Sequence, residues 1–240
     1  MSITWLAADS QSHFPPVEKA TDHGLLAAGG DLSPARLLDA YQRGIFPWFN
    51  KNDPILWWCP DPRMVLFTDD VHISKSLNKI LRKGQFTVTM DRAFEQVMKA
   101  CSAPRQNQPT DPENRTWIHN NMIEAYTDLH HQGYAHSIEC WKDNELVGGL
   151  YGVSVGKAFF GESMFSFVPD SSKVALIALC QQLQRWDMPM IDCQIYSDHL
   201  SRMGGEEIPR AEFIKRLDEL CSVKVSPSQW QLDADLPYAL

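Results

Sequence analysis

The chain has 240 residues, 44% of them hydrophobic and 10% aromatic, with 13 Gly and 15 Pro. That is apolar material for a sizeable core in one domain or two small ones, and it excludes disorder and a collagen-like or linker-dominated chain. With 22 Lys and Arg against 30 Asp and Glu, the net charge of −8 excludes a globally basic nucleic-acid coat protein but leaves room for a local basic patch.

The first clear element is a helix within residues 32–44, where Ser33 is placed to cap, Pro34 takes the first helical position and Gly44 stops the chain. Prolines at 47, 54, 60 and 62 then forbid a long regular element. The Pro60-Asp-Pro62 stretch is the expected boundary between a small N-terminal domain, residues 1–62, and a larger domain, residues 63–240.

From Val65 the pattern is α+β. Residues 74–83 read as a short helix stopped by Gly84, and residues 86–90 alternate as a strand. Asp91 is expected to cap a helix whose apolar positions 94, 97, 98 and 101 recur at helical spacing. Polar residues 105–116 read as a loop. The next helix turns Ile118, Met122, Ala125, Tyr126 and Leu129 inward and stops at Gly133. Three strands crowd together at 136–141, 146–155 and 157–162, and Gly148-Gly149 marks a bulge or a close backbone approach. Asp170 or Ser171 caps a strong helix through Trp186, residues 190–195 form a short buried strand, and Pro209 opens a last helix to Leu220. The tail from Ser222 is interrupted by proline and reads as irregular. Antiparallel strands, a helix and a further strand are the order of an acetyltransferase-type (GNAT-like) α+β domain, which is analogy at the level of fold and assigns no chemistry.

No apolar stretch approaches the roughly 18 residues of a membrane helix, and the N-terminus lacks the basic start and long apolar region of a signal peptide. Six cysteines, at 59, 101, 140, 180, 193 and 221, form no C-x-x-C pair, and several lie in apolar runs. The expectation is a cytoplasmic protein with reduced, buried thiols and no demand for an oligomer.

Two segments hold polar groups where chemistry could sit. The apolar run Ala158-Phe-Phe160 leads into the carboxylate of Glu162, which reads either as a strand end facing water or as a site residue. In Met190-Ile-Asp-Cys-Gln-Ile195, period-2 geometry puts Asp192 and Gln194 on one face and Cys193 on the other. Two such side chains in a short apolar strand are costly to bury unless hydrogen-bonded, so they form either a structural network or, with Glu162, a site. Between Val71 and Met90 there is no acidic residue, yet Lys75, Lys79, Arg82 and Lys83 all fall there; positions 75, 79 and 82 share a helical face while Leu77, Ile80 and Leu81 cover another. Such a stripe is a solvated surface or a phosphate-binding face. His130 and His131 are adjacent on a helix and point apart, which makes them poor co-ligands, and the His and Cys residues show no metal-ligand spacing.

Gly24-Leu-Leu-Ala-Ala-Gly-Gly-Asp-Leu-Ser-Pro-Ala-Arg-Leu-Leu38, Tyr41-Gln-Arg-Gly-Ile-Phe-Pro-Trp-Phe49, Ile55-Leu-Trp-Trp-Cys-Pro-Asp-Pro-Arg63, Gly161-Glu-Ser-Met-Phe-Ser166 and Ile191-Asp-Cys-Gln194 together resemble the leucyl/phenylalanyl-tRNA–protein transferase family. The resemblance implies a ribosome-independent enzyme that moves Leu or Phe, less often Met, from aminoacyl-tRNA to the α-amine of proteins with N-terminal Arg or Lys, marking them for degradation by the N-degron route. It implies a small N-terminal domain joined to a GNAT-like one, with no metal or coenzyme. It carries the Asp/Gln catalytic pairing onto Asp192 and Gln194, with Glu162 beside them. It puts Trp48 and Trp117 at the 3′ end of the tRNA, and a phosphate-binding cluster on the helix of Lys75, Lys79, Arg82 and Lys83. Stacking on aromatic side chains is the usual grip on an unpaired adenine. Leu150, Phe159, Met164, Leu176, Leu179 and Ile191, from the strands and helix around Glu162, are candidates for an apolar aminoacyl pocket, or are simply core; Met suits a pocket that takes both Leu and Phe.

Two competing readings are weaker. An acetyl-coenzyme A transferase needs a Gly-rich turn before its long helix to grip a pyrophosphate, and no Gly occurs between Gly161 and Gly204. A non-catalytic tRNA-binding protein accounts for Trp48 and the basic helix but leaves Asp192, Gln194 and Glu162 without a purpose.

Overall fold

The computed structural model describes residues 3–8, 13–103, 118–223 and 230–236. Strands β1 (Thr4–Leu6), β2 (Leu25–Gly29), β3 (Phe46–Pro47) and β4 (Leu56–Trp58) form a four-stranded sheet in the order β1-β2-β4-β3, with β1 parallel to β2 and the other pairs antiparallel. Helix α1 (Pro34–Gln42) sits between β2 and β3 and starts as expected: the Ser33 hydroxyl accepts the Arg36 N–H at 3.5 Å, and Pro34 occupies the first turn, where its missing N–H costs nothing. Gly44 ends the turn with φ +71°, a conformation that glycine adopts without steric cost.

A seven-stranded sheet holds the rest. Its order is β11 (Glu206–Ile208), β5 (Arg63–Phe67), β10 (Met190–Gln194), β9 (Ala158–Ser166), β8 (Glu145–Val155), β7 (Ala135–Lys142) and β6 (Thr87–Met90). Every neighbouring pair is antiparallel except β9 and β10. The helices are α2 (Lys75–Lys83), α3 (Phe94–Ser102), α4 (Asn120–His131), α5 (Ser171–Arg185), α6 (Asp198–Arg202) and α7 (Arg210–Cys221). The architecture is α+β, and the anticipated antiparallel strands, helix and further strand are β7-β8-β9, α5 and β10. Strand membership passes from the first sheet to the second between Trp58 and Arg63, across the Pro60-Asp-Pro62 stretch.

Neighbouring strand residues go to opposite faces, and the core divides accordingly. Val65, Tyr151, Phe160 and Met190 join α1, α3, α4, α7 and the first sheet in one buried cluster, whereas Leu66, Leu150, Phe159 and Ile191 join α2 and α5 in another. Trp230, Leu232 and Leu236, from a segment without helix or strand, close the second cluster. All six cysteines are unpaired thiols, four of them buried.

Some expectations are corrected. Asp91 does not cap α3, which begins after Ala93; it turns with φ +56°, and its carboxylate accepts the Ser137 N–H at 2.9 Å and lies 2.7 Å from His136 Nδ1. Asp170 precedes α5 but makes no side-chain cap, because its carboxylate pairs with Lys173 at 2.6 Å. The register of the β7-β8-β9 ladder shifts beside Gly148, where Cys140 pairs with Gly148 but Trp141 with Leu146, and again at Tyr151/Gly152, so the expected bulge lies next to the glycine pair. The two glycines mark close approaches as well: a Cβ at Gly148 would lie 2.2 Å from Ser171 Oγ, and one at Gly149 2.6 Å from the Ile138 carbonyl oxygen. The third strand of the group also runs four residues beyond Glu162, through the slip in register. The expected loop at 105–116 lies outside the described residues.

Candidate active site

Strand β10 pairs with β9 only from Met190 to Asp192, opposite Ala158–Phe160, while β9 continues to Ser166. The two parallel strands therefore part at one point, and Glu162 and Gln194 flank the opening. Pairing on the far side of β9 runs Gly152↔Gly161 and then Tyr151↔Ser163, so Glu162 is the extra residue of a bulge, a device that re-aims a side chain. Its Oε1 accepts the Tyr41 hydroxyl at 2.7 Å and the Gln194 side-chain amide at 2.8 Å, and its Oε2 accepts the Tyr126 hydroxyl at 3.1 Å. The two tyrosine hydroxyls also contact each other. Burial pushes the Glu162 carboxyl up to about 7, against the three hydrogen bonds that favour its ionised form. Burial first, then the Glu162 charge, holds both tyrosines well above the ordinary phenol range, so they remain donors at neutral pH.

Asp192 is fully buried and faces a fully buried Arg63, which donates Nε to Oδ1 at 2.8 Å and Nη2 to Oδ2 at 2.7 Å. Asp192 Oδ1 also accepts the backbone N–H of Gln194 at 2.9 Å. The pair does reach one place, but not by simple alternation: the register slips between Asp192 and Gln194, and Gln194 adopts φ +66°. Cys193, on the other face, packs against the second core. Arg63, Tyr41 and Tyr126 were not singled out from sequence as site residues. The available signals were a charge at the head of the apolar run Met64-Val-Leu-Phe67 and two hydroxyls on otherwise inward helix faces.

The remaining candidates fall into three places. Trp48 follows β3 at the end of its hairpin with β4, 40% exposed, tilted against Trp58 at 5.8 Å, while its carbonyl accepts the Trp58 indole N–H. Trp117 lies outside the described residues. Lys75, Lys79, Arg82 and Lys83 are all exposed on α2, whose buried side is Leu77. None of the four forms an ion pair among the described residues. Leu150, Phe159, Leu176, Leu179 and Ile191 are together in the second core cluster, with Met164 half-buried against it. That cluster reaches the opening, since a Cβ at Gly161 would touch Ile191 at 3.7 Å.

His130 and His131 do not converge; His130 instead approaches His136 and Asp91, a trio whose ligand atoms lie within 4.8 Å of one another. Each already has protein partners. His136 lies between the Asp91 carboxylate and the Gly133 carbonyl, and His130 Nδ1 is 2.8 Å from the Ala135 carbonyl. A cleft of about 390 Å³ lined by Thr89, Asp91, Arg92 and Trp230 contains none of the candidate residues. No helix among the described residues is long and apolar enough to cross a membrane.

Comparison with known proteins identifies the family. The family model described as leucyl/phenylalanyl-tRNA protein transferase matches residues 65–218, and that of its N-terminal domain matches residues 30–61. A leucyl/phenylalanyl-tRNA–protein transferase of Nitrosospira multiformis is 54% identical over 96% of this chain and 97% of its own. One of Cellvibrio japonicus is 58% identical over 90% of each chain. Among solved structures, a GCN5-related N-acetyltransferase from Kribbella flavida covers 72% of this chain and 60% of its own at 10% identity, with a TM-score of 0.32. With matches that take in strands of both sheets and relatives above half identity along nearly its whole length, the chain belongs to the leucyl/phenylalanyl-tRNA–protein transferase family of aminoacyltransferases.

Proposed function

We propose that the protein transfers Leu or Phe, less often Met, from aminoacyl-tRNA to the α-amine of proteins that begin with Arg or Lys, as a cytoplasmic monomer, and so marks them for degradation by the N-degron route. The observation that carries this reading is the Gln194–Glu162 hydrogen bond at the point where β9 and β10 part. An aminoacyl ester is already activated, so the catalyst has to position an amine and manage one proton. Gln194 spends its amide N–H on Glu162, which leaves Oε1 to accept a hydrogen bond from the incoming amine. With an unperturbed pKa of about 7.7–8, that amine is partly neutral near pH 7 and attacks the ester carbonyl carbon. The new carbon–nitrogen bond forms, the carbon–oxygen bond to the ribose breaks, and the amine proton ends on the ribose oxygen that leaves.

Asp192 is better suited to orient Gln194 than to take that proton, because Arg63 and the Gln194 N–H occupy its oxygens. The ionised Glu162 favours a basic acceptor by charge complementarity. In this reading residues 1–62 are the small domain that offers Trp48 to the terminal adenine, Trp117 is a second residue for the tRNA 3′ end, and residues 63–240 are the catalytic domain. Lys75, Lys79, Arg82 and Lys83 contact tRNA phosphates. Leu150, Phe159, Leu176, Leu179 and Ile191 enclose the aminoacyl side chain, and Met164 is the adaptable wall at the opening.

The test is transfer of labelled Leu from Leu-tRNA to a protein beginning with Arg, beside a copy beginning with Ala, with acetyl-coenzyme A offered as donor in parallel. Label on the Arg protein alone is the expected result. Equal label on both copies refutes the acceptor rule, and acetylation refutes the donor.

A further inference from the structure

Gln194 holds a backbone conformation that side chains other than glycine rarely adopt, and the residue set around it explains how. A non-glycine residue at φ +66° is strained and persists only where its surroundings over-determine it. The Asp192 carboxylate supplies the local constraint by accepting the Gln194 N–H, two residues on. That carboxylate is itself fully buried, and a buried charge without a partner is costly to hold in place. Arg63 supplies that partner and fixes the carboxylate through two parallel hydrogen bonds. The guanidinium is in turn clamped between two rings, 4.8 Å from the Phe46 centroid of the first sheet and 4.7 Å from the Phe213 centroid of α7. A single side chain therefore joins the first sheet, the last helix and β10 at the base of the opening.

We propose that Arg63 is a positioning residue for aminoacyl transfer: through Asp192 it holds Gln194 in the left-handed conformation that aims its side chain across the opening to Glu162. The inference rests on the reading of Gln194 given above. Lysine keeps the positive charge beside Asp192 but cannot reproduce the two-pronged geometry, so Arg63→Lys leaves Gln194 mis-aimed.

The test is a double-mutant cycle on the full chain, with Leu transfer to an Arg-initiated protein as the readout. Arg63→Lys is expected to lower kcat by about 10–100-fold, as small misplacements of reacting groups do, with little change in KM for Leu-tRNA. In a Gln194→Ala background the same substitution is expected to cost nothing further, because the residue it acts through is gone. An equal loss in both backgrounds would make Arg63 a merely structural residue and overturn the inference, as would an unchanged kcat in the otherwise native chain. A native rate for Gln194→Ala alone would instead overturn the reading of the site. Should Arg63→Lys fail to fold, the pair Arg63→Gln with Asp192→Asn removes both buried charges together, and the cycle is run with that variant under the same criteria.

Discussion

Glu162 and Gln194 come from separate strands, 32 positions apart, and meet by a 2.8 Å hydrogen bond where those strands diverge. The bond fixes the amide orientation, with Nε2 toward the carboxylate; in the proposed mechanism Oε1 then accepts from the incoming amine. Gln194→Ala is therefore expected to reduce kcat by about 10²-fold, in the range of a positioned proton-handling group, while filter binding of aminoacyl-tRNA stays unchanged.

Glu162 supplies a pH signature. Burial raises its carboxyl to about 7, from an ordinary 4.5, so the folded state binds more protons than the unfolded state between those values. Stability therefore falls as pH rises from 4.5 to 7, by roughly 3 kcal/mol from this group. Glu162→Gln, which stays neutral, is expected to lose that component. Its melting temperature should gain on the native chain as pH goes from 5 to 8, and a difference independent of pH refutes the assignment.

The four cations of α2 stand exposed in a protein of net charge −8. Replacing Lys75, Lys79, Arg82 or Lys83 singly by Ala should weaken tRNA binding and reduce the slope of log affinity against log salt by about 1 for each phosphate that is no longer neutralised. Titrations at two or more salt concentrations check this, and a slope untouched by all four returns the stripe to plain solvated surface.

Trp48 is expected to act on tRNA without supporting the fold. Trp48→Ala should weaken aminoacyl-tRNA binding by about 1–3 kcal/mol, the range of one base–aromatic stack. The melting temperature should hardly move, because the Trp58 indole bonds the position-48 carbonyl, which any residue provides.

Gly148→Ala tests the packing of α5 on the sheet. Its Cβ would overlap Ser171 Oγ, which donates to the Val147 carbonyl and is held within the first turn of the helix. A destabilisation of about 1–3 kcal/mol is expected in denaturant melts.

Much of this protein was legible in its linear order. The caps and stops of α1 and α2, the inward stripe of α4 and the length of α5 depend on interactions within about four residues, so local residue types determine them. Glu162, Asp192 and Gln194 drew notice because polar groups inside apolar strands need partners. What they do with those partners was decided only by the tertiary structure. Arg63 reaches Asp192 across 129 positions, and Tyr41 reaches Glu162 across 121. The bulge at Glu162 and the left-handed turn at Gln194 break the alternation on which strand reading relies. The short strands β1, β3, β4 and β11 span too few residues for any period to show. Periodicity and capping are written along the chain, whereas a buried ion pair and the point where two parallel strands part exist only once distant segments share one core.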